Sequence, residues 1–289
     1  MEEIRNQVFI EDGYPGVVVG AVCSDRGLFM VDAPFRAVDQ GHWRRALSRL
    51  EGAIGKQKML LLLNTHIDRS LGVRAMESVV VGQQNSVSIL ENRPTAARSQ
   101  EIDAGADWEP FDLPSNICWA LPELSFSQLL SIYWGDIPLL LEHHPGSHTA
   151  GSWLKLENEK VVFVGDSVVI HQPPFLAYAD LDAWIADFDL LLSDAYKGYK
   201  IVSGRNGVVH PQSIQKARRT LLMIKTTVED VAAEKGQVED LLAEVPSLLK
   251  PLSFNKNLTQ LYHNRLLWGL EHYYRQRYLN ANDEQKGAR

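Results

Sequence analysis

The chain has 289 residues, is 45% hydrophobic and carries a formal net charge of −7. This length supports one large layered domain or two small ones, and the acidic balance argues against a protein built to grip nucleic acid. Two isolated cysteines, Cys23 and Cys118, make neither a disulfide scaffold nor a CxxC zinc knuckle. Met1 to Ile10 is charged and lacks the apolar stretch of a secretory leader, and runs such as Met59 to Leu63 are too short to span a bilayer. The expectation is a soluble cytoplasmic protein that engages neither nucleic acid nor membrane.

In chain order, Gly16 to Val22 reads as a β-branched strand, and Asp25-Arg26-Gly27 as a turn. Leu28 to Val31 is a second strand, ending at Asp32. Ala37 to Ile54 has helical periodicity, with Trp43, Ala46, Leu47 and Leu50 on one face. Met59 to Leu63 is a continuous apolar run, as expected of a strand buried on both faces, and it empties into a polar loop, Asn64 to Ser70. Val79 to Val81 is the next strand. Glu91 to Glu123 reads as a surface excursion with a helix near Pro94 to Gln100.

A second strand-rich set begins near Ser127. Leu139 to Glu142 precedes the loop His143 to Ser152, and Trp153 to Leu156 pairs with Val161 to Val164 around Glu157-Asn158-Glu159. Leu181 to Leu192 is helical, and Ile201-Val202 is a last short strand. Ile214, Ala217, Leu221, Ile224, Val228 and Val231 then form one helical stripe, read as core or subunit contact. A short helix over Gln237 to Ala243 follows, then a final one through Leu258, Leu261, Tyr262, Leu266, Leu270 and Tyr273. The tail beyond Asn280 is polar.

Chemistry-bearing residues cluster in loops that directly follow apolar strands, where rigid scaffolds usually carry their sites. These loops are Asn64-Thr65-His66-Ile67-Asp68-Arg69-Ser70-Leu71-Gly72, then His144-Pro145-Gly146-Ser147-His148-Thr149-Ala150-Gly151-Ser152, then Val164-Gly165-Asp166, and last Ser203-Gly204-Arg205-Asn206-Gly207. In this set the chain resembles the metallo-β-lactamase superfamily, in particular its stand-alone hydrolases. Gly146 to Ser152 matches that family's HTxGS-type loop, and Val161 to Asp166 matches its strand ending in Gly-Asp. The resemblance implies an α/β fold, a four-layer αββα sandwich with extra C-terminal helices. It also implies a single domain over 1–289, with a core of about 7–212 and a helical extension of about 213–280.

The family's chemistry uses two adjacent divalent metals, held by His and carboxylate, that activate a hydroxide. Here the middle loops keep His148 and Asp166, while the outer loops depart from the pattern. The first loop aligns in two ways with the family's T-H-x-H-x-D-H-x-x-G. Without a gap, Asn64 replaces the first His, His66 is the second, Asp68 is kept and Arg69 replaces the last. With two residues deleted, His66 is the first His and the second is missing. In the fourth loop Arg205 replaces the final His, with His210 able to substitute only by a loop rearrangement.

Arginine stays protonated and offers only donors, so it cannot ligate a metal. The resemblance therefore implies at most one divalent metal, zinc or iron, on His66, His148 and Asp166 with Asn64 as a weak fourth ligand. Asp68 and Asp166 are the catalytic candidates, and Asn64, Arg69 and Arg205 line the substrate side. The two arginines are expected to pair with Asp68 and Asp166, Asp32 to be a structural hydrogen-bonding residue, and His143 and His144 to be structural or exposed.

Two function classes follow. One is a hydrolase that attacks an ester, thioester, lactone or amide with metal-bound water. The other is a metal-free descendant, a pseudoenzyme or a binder of carboxylate or phosphate through its arginines. The implied partner is a small-molecule substrate or anionic ligand, and a homo-oligomer through the C-terminal helices is left open.

Overall fold

Alternation along one strand shows how the layers are made. In β3 (Val17–Ser24) the side chains of Val17, Val19, Ala21 and Cys23 pack on one side of the sheet, and those of Val18 and Val22 on the other. A strand buried on both faces needs two apolar partners, and that fixes a layered sandwich. The computed structural model describes residues 1–50, 57–95 and 104–279.

The first sheet has seven strands in sequence order: β1 (Glu2–Arg5), β2 (Val8–Tyr14), β3, β4 (Gly27–Val31), β5 (Gln57–Leu62), β6 (Val79–Gln83) and β7 (Leu124–Phe126). The first four pair antiparallel, and β4 to β7 run parallel. Among the described residues, the α-helices of this half are α1 (Ala37–Leu47), the single turn α2 (Ile67–Ser70) and α3 (Gln84–Glu91). The second sheet has the order β13-β12-β11-β10-β9-β8 and comprises β8 (Leu129–Trp134), β9 (Ile137–His143), β10 (Ser152–Leu156), β11 (Val161–Gly165), β12 (Lys200–Ser203) and β13 (Gly207–Val209). Its outer face is covered by α4 (Leu181–Leu192), α5 (Pro211–Ala233), α6 (Val238–Ala243), α7 (Val245–Leu249) and α8 (Thr259–Tyr274). The architecture is the αββα sandwich with added C-terminal helices.

Three apolar layers hold it together. Trp43, Leu47 and Leu90 pack on the outer face of the first sheet. Phe29, Val31, Leu61, Leu141, Leu154 and Phe163 fill the space between the sheets. Ile214, Leu221, Ile224 and Val228, the α5 stripe, pack on the outer face of the second sheet with Leu266 and Leu270 of α8. The sheets approach closely at Gly20, where an added Cβ would lie 2.5 Å from the ring of Phe163.

Several expectations shift. The amino-terminal strands β1 and β2 were not read from sequence, because exposed charges hide a period of two; β8 opens the strand-rich set expected from near Ser127. The helix expected over Ala37 to Ile54 ends at Leu47, and its last expected residues lie outside those described. The loop Asn64 to Ser70 contains a helical turn whose four residues are all buried. The helix near Pro94 to Gln100 falls mostly outside the described residues, and a helix lies earlier, at Gln84–Glu91. Nor is the later part of that excursion all surface, since Ala106, Trp108 and Ile117 are buried. The strand at Ile201-Val202 is followed by one more, β13. Among the described residues no helix is long and apolar enough to cross a membrane.

Gly20→Val forces a branched side chain against Phe163 in a filled core. It is expected to cost about 1–3 kcal/mol, read as a lower urea midpoint with an unchanged slope; a midpoint equal to that of the parent would show that the sheets can separate at this point.

Candidate functional site

Parallel strands deliver their carboxyl ends to one edge of a sheet, and here both sheets do so on the same side. Asp32 follows β4, Asn64 to Ser70 follow β5, Asp166 follows β11 and Arg205 follows β12. Main-chain bonds stitch these ends together within and between the sheets. Ser152 N–H donates to Leu63 O at 2.8 Å, Gly204 N–H to Gly165 O at 2.7 Å and Val18 N–H to Gly204 O at 2.8 Å.

The centre of the cluster is the carboxylate of Asp166, which is 2% exposed. Its Oδ1 accepts from an Nη of Arg69 and from Nε of Arg205 at 3.0 Å. Its Oδ2 accepts from Nη2 of Arg205 at 3.2 Å and from Nδ2 of Asn64 at 3.3 Å. A carboxylate has about four acceptor positions, so these four donors fill it. Burial alone would raise the Asp166 pKa, but Arg205 first, then Arg69 and His66, outweigh it and hold the group far below the usual carboxylate range.

The two arginines continue outward in opposite directions. Arg69, fully buried, turns its other Nη to Asp32 Oδ2 at 2.7 Å. Asp32 is held in the left-handed region at φ 56° and also accepts from Leu63 N–H at 2.9 Å. Its desolvation outweighs Arg69 and pushes the carboxyl up to about 6. There is room for the Arg69 guanidinium because residue 204 is glycine; a Cβ there would lie 2.5 Å from Nη1.

Arg205 reaches Asp68 at 2.9 Å, Asp107 at 3.0 Å and the carbonyl of Gly16 at 3.1 Å. Burial would lower its pKa, but Asp166, Asp68 and Asp107 raise it well above the usual value. Asp107 also meets Arg265 of α8 at 3.4 Å. The ring of Phe175 has two guanidiniums against it, with Arg205 4.6 Å and Arg265 4.1 Å from its centroid. Four carboxylates and three guanidiniums thus form one chain, Asp32–Arg69–Asp166–Arg205–Asp68/Asp107–Arg265, running from the first sheet to the last helix.

The structure brings every candidate site residue to this place. His66 lies beside Asp166, Nε2 to Oδ2 3.6 Å, with its ring 5.2 Å from that of His148 and 4.6 Å from that of Phe175. Arg205 pairs with both Asp68 and Asp166, and Arg69 pairs with Asp166 and also with Asp32. Asn64 spends its Oδ1 on the His66 N–H at 3.0 Å. His148 Nδ1 accepts from the Ala150 N–H at 3.0 Å, so the neutral ring carries its proton on Nε2 and donates it to Thr65 Oγ1 at 3.1 Å. His143 and His144 are structural: Nε2 of the first is 3.0 Å from Thr149 O, and the second contacts Asp187 at 2.7 Å and stacks on Trp153.

The donor set can be tested against the metal that the fold implies. A ligating carboxylate needs a free lone pair and a ligating imidazole a bare nitrogen. Asp166 has its acceptor positions filled, the outer nitrogen of His148 bears a proton, and the Asn64 oxygen faces a backbone N–H. Two permanent cations lie against the same carboxylate. In this arrangement the residues do not fit a divalent metal, and among the described residues no three His, Cys, Asp or Glu side chains are grouped to hold one.

Sequence reasoning missed Asp107, Phe175, Arg265 and Arg93, which donates to Thr65 O at 2.6 Å beneath the first loop. Arg265 had a readable signal, since it falls between Tyr262 and Leu266 on the apolar face of α8. Asp107 and Phe175 had none.

Fold and loops together define the class. The fold is that of the metallo-β-lactamase superfamily, and the family model described as "Metallo-beta-lactamase superfamily" matches residues 95–233. That span holds His148, Asp166 and Arg205 and leaves out the altered first loop. Among solved structures, the chain is similar to the stereoselective inverting sec-alkylsulfatase Pisa1 from Pseudomonas sp., at TM-score 0.66 and 14% identity over 99% of this chain and 51% of that one. It spans about half the length of that relative. It is also similar to a metallo-β-lactamase family protein from Thermus thermophilus, at TM-score 0.63 and 16% identity over 96% and 94% of the two chains. A metallo-β-lactamase from Pontibacter korlensis follows at TM-score 0.55 and 18% identity, over 76% and 97%. No curated protein sequence matches the chain.

The ion-pair chain makes an acid prediction with a definite sign. A carboxyl whose folded pKa is depressed contributes stability above its unfolded value and loses it as pH falls toward the folded one. Asp32, raised to about 6, has the opposite sign: its ionisation costs stability as pH rises from the ordinary carboxylate range to about 6. Melting temperature should therefore rise as pH drops through that window and collapse below it. Asp166→Asn should lack the steep acid collapse, and parallel parent and variant profiles below about pH 4 would show that Asp166 is not held by its arginines.

Proposed function

We propose that the chain is a metal-independent member of the superfamily, a pseudoenzyme in which two guanidiniums stand where the second metal would. The supporting observation is the Asp166 carboxylate, whose acceptor positions are taken by Arg69, Arg205 and Asn64. The positions of Arg69 and Arg205 around one aspartate suit the ungapped reading of the first loop. In this reading the centre is structural. It offers no activated water, and its arginines are committed to Asp32, Asp68, Asp107 and Asp166 rather than open to an incoming anion.

The second reading is a one-metal hydrolase on His66, His148 and Asp166, acting on an ester, thioester, lactone or amide. It is favoured by the 3.6 Å approach of His66 to Asp166 and by relatives that include an alkylsulfatase and metallo-β-lactamases. It requires Arg69 or Arg205 to release Asp166 and His148 to turn away from Thr65.

Elemental analysis of protein expressed in zinc-, iron- and manganese-supplemented medium separates the two. The expectation is well below one equivalent per chain, with a melting temperature indifferent to chelator; one tightly held metal that chelator removes with loss of stability would establish the second reading. A gain-of-ligand variant sharpens the test. Asn64→His, Arg69→His and Arg205→His combined restore the family's ligands, and zinc should then raise the melting temperature of the variant but not of the parent. A folded variant indifferent to zinc would mean that the arginines do not stand in metal positions.

A further inference from the structure

The ends of the two sheets differ in how they are protected. Unpaired strand edges invite other chains, and proteins blunt them with charge, shortness or cover. β1 is Glu-Glu-Ile-Arg, and β7 and β13 are three residues each. β8 is different. It has six residues, Leu-Leu-Ser-Ile-Tyr-Trp, without charge or proline, and among the described residues its only strand neighbour is β9. Leu129 is 60% exposed and Tyr133 71%, the two most exposed large apolar side chains among those described.

The register shows which backbone groups face outward. Trp134 pairs with Ile137 across a two-residue turn, and His143 N–H donates to Gln128 O at 2.9 Å. Hydrogen-bonded pairs with β9 therefore fall at 128, 130, 132 and 134, and the N–H and C=O groups of Leu129, Ser131 and Tyr133 point away from the sheet. Of these the Tyr133 carbonyl already accepts from Arg26 at 2.7 Å, which leaves it one further acceptor position.

We propose that β8 is a self-association edge, pairing antiparallel with β8 of a second copy about a two-fold axis at Ser131. The strand is complementary to itself in this register. Ser131 meets Ser131, small enough for the axis, and each Leu129 lies opposite a Tyr133, an apolar–aromatic cross-strand pair. The outward groups of Leu129, Ser131 and Tyr133 become bonded pairs between copies. No charged residue lies between Glu123 and Asp136, and in this register neither falls opposite a like charge. The two six-stranded sheets would join into one. An interface built on a single strand pair falls short of the roughly 1,600 Å² of a standard complex, so the dimer is weak and dilution-sensitive.

Sedimentation of the full chain from about 1 to about 200 µM, a range chosen for a weak interface, should show reversible doubling of mass. Leu129→Lys with Tyr133→Lys, both at exposed positions, should weaken association at least tenfold with an unchanged circular dichroism spectrum. Register is read by crosslinking in a Cys118→Ser background. Ser131→Cys should oxidise to a covalent dimer, because bonded partners lie about 5.5 Å apart at Cα, within disulfide reach. Gln128→Cys should not, as its two copies would be about 20 Å apart along the strand. A monomer throughout overturns the proposal. So does a dimer that the lysines leave intact, which moves the contact to another surface such as the C-terminal helices, and so does equal crosslinking at both positions.

Discussion

A single carboxylate shared by two guanidiniums governs this molecule. Asp166 sits where both sheets present their strand ends, in a place too dry for an unpaired charge. Something positive has to be there, and Arg69 and Arg205 supply it from two different loops. Because each arginine is itself buried, each needs further carboxylates, and the requirement spreads to Asp32, Asp68 and Asp107 and from there to Arg265. The chain of pairs is the outcome of satisfying one buried charge after another, through the partly exposed Asp107 to Arg265. Pairs of this kind contribute modest net stability when intact, and removing one member commonly costs about 3–5 kcal/mol.

The C-terminal helices acquire a role in this light. α8 covers the outer face of the second sheet, and it also supplies the last guanidinium, which lies over the Phe175 ring. An apolar helix face that carries one arginine between Tyr262 and Leu266 is a costly arrangement unless the arginine is met. Gly105 O, Gln172 Oε1 and Pro173 O meet it at 2.8, 2.6 and 3.1 Å. The segment around residues 104–108 and the loop after β11 are thereby held over the strand ends.

Much of this was readable from the residues. The HTxGS-type loop and the Gly-Asp strand end pointed to His148 and Asp166, and the arginines in the outer loops pointed to ion pairs with buried aspartates. The sandwich followed from strands buried on both faces alternating with helical stripes. What escaped was set by contacts distant in sequence. No local pattern marks Asp107 as a partner of Arg205, and only the approach of β4 to the first loop decides that Arg69 turns to Asp32 rather than Asp68. β1 and β2 escaped because charged residues on their open side break the alternation.

The filled coordination of Asp166 also bears on how this sequence can change. Replacing Arg69 or Arg205 alone with histidine removes a permanent cation and leaves too few ligands to attract a metal in exchange. Asp166 then lies buried with half its compensation, so each single step is less stable than either the arginine state or the fully rebuilt histidine state. The two states are separated by a valley that one substitution at a time must cross at a cost in folded protein.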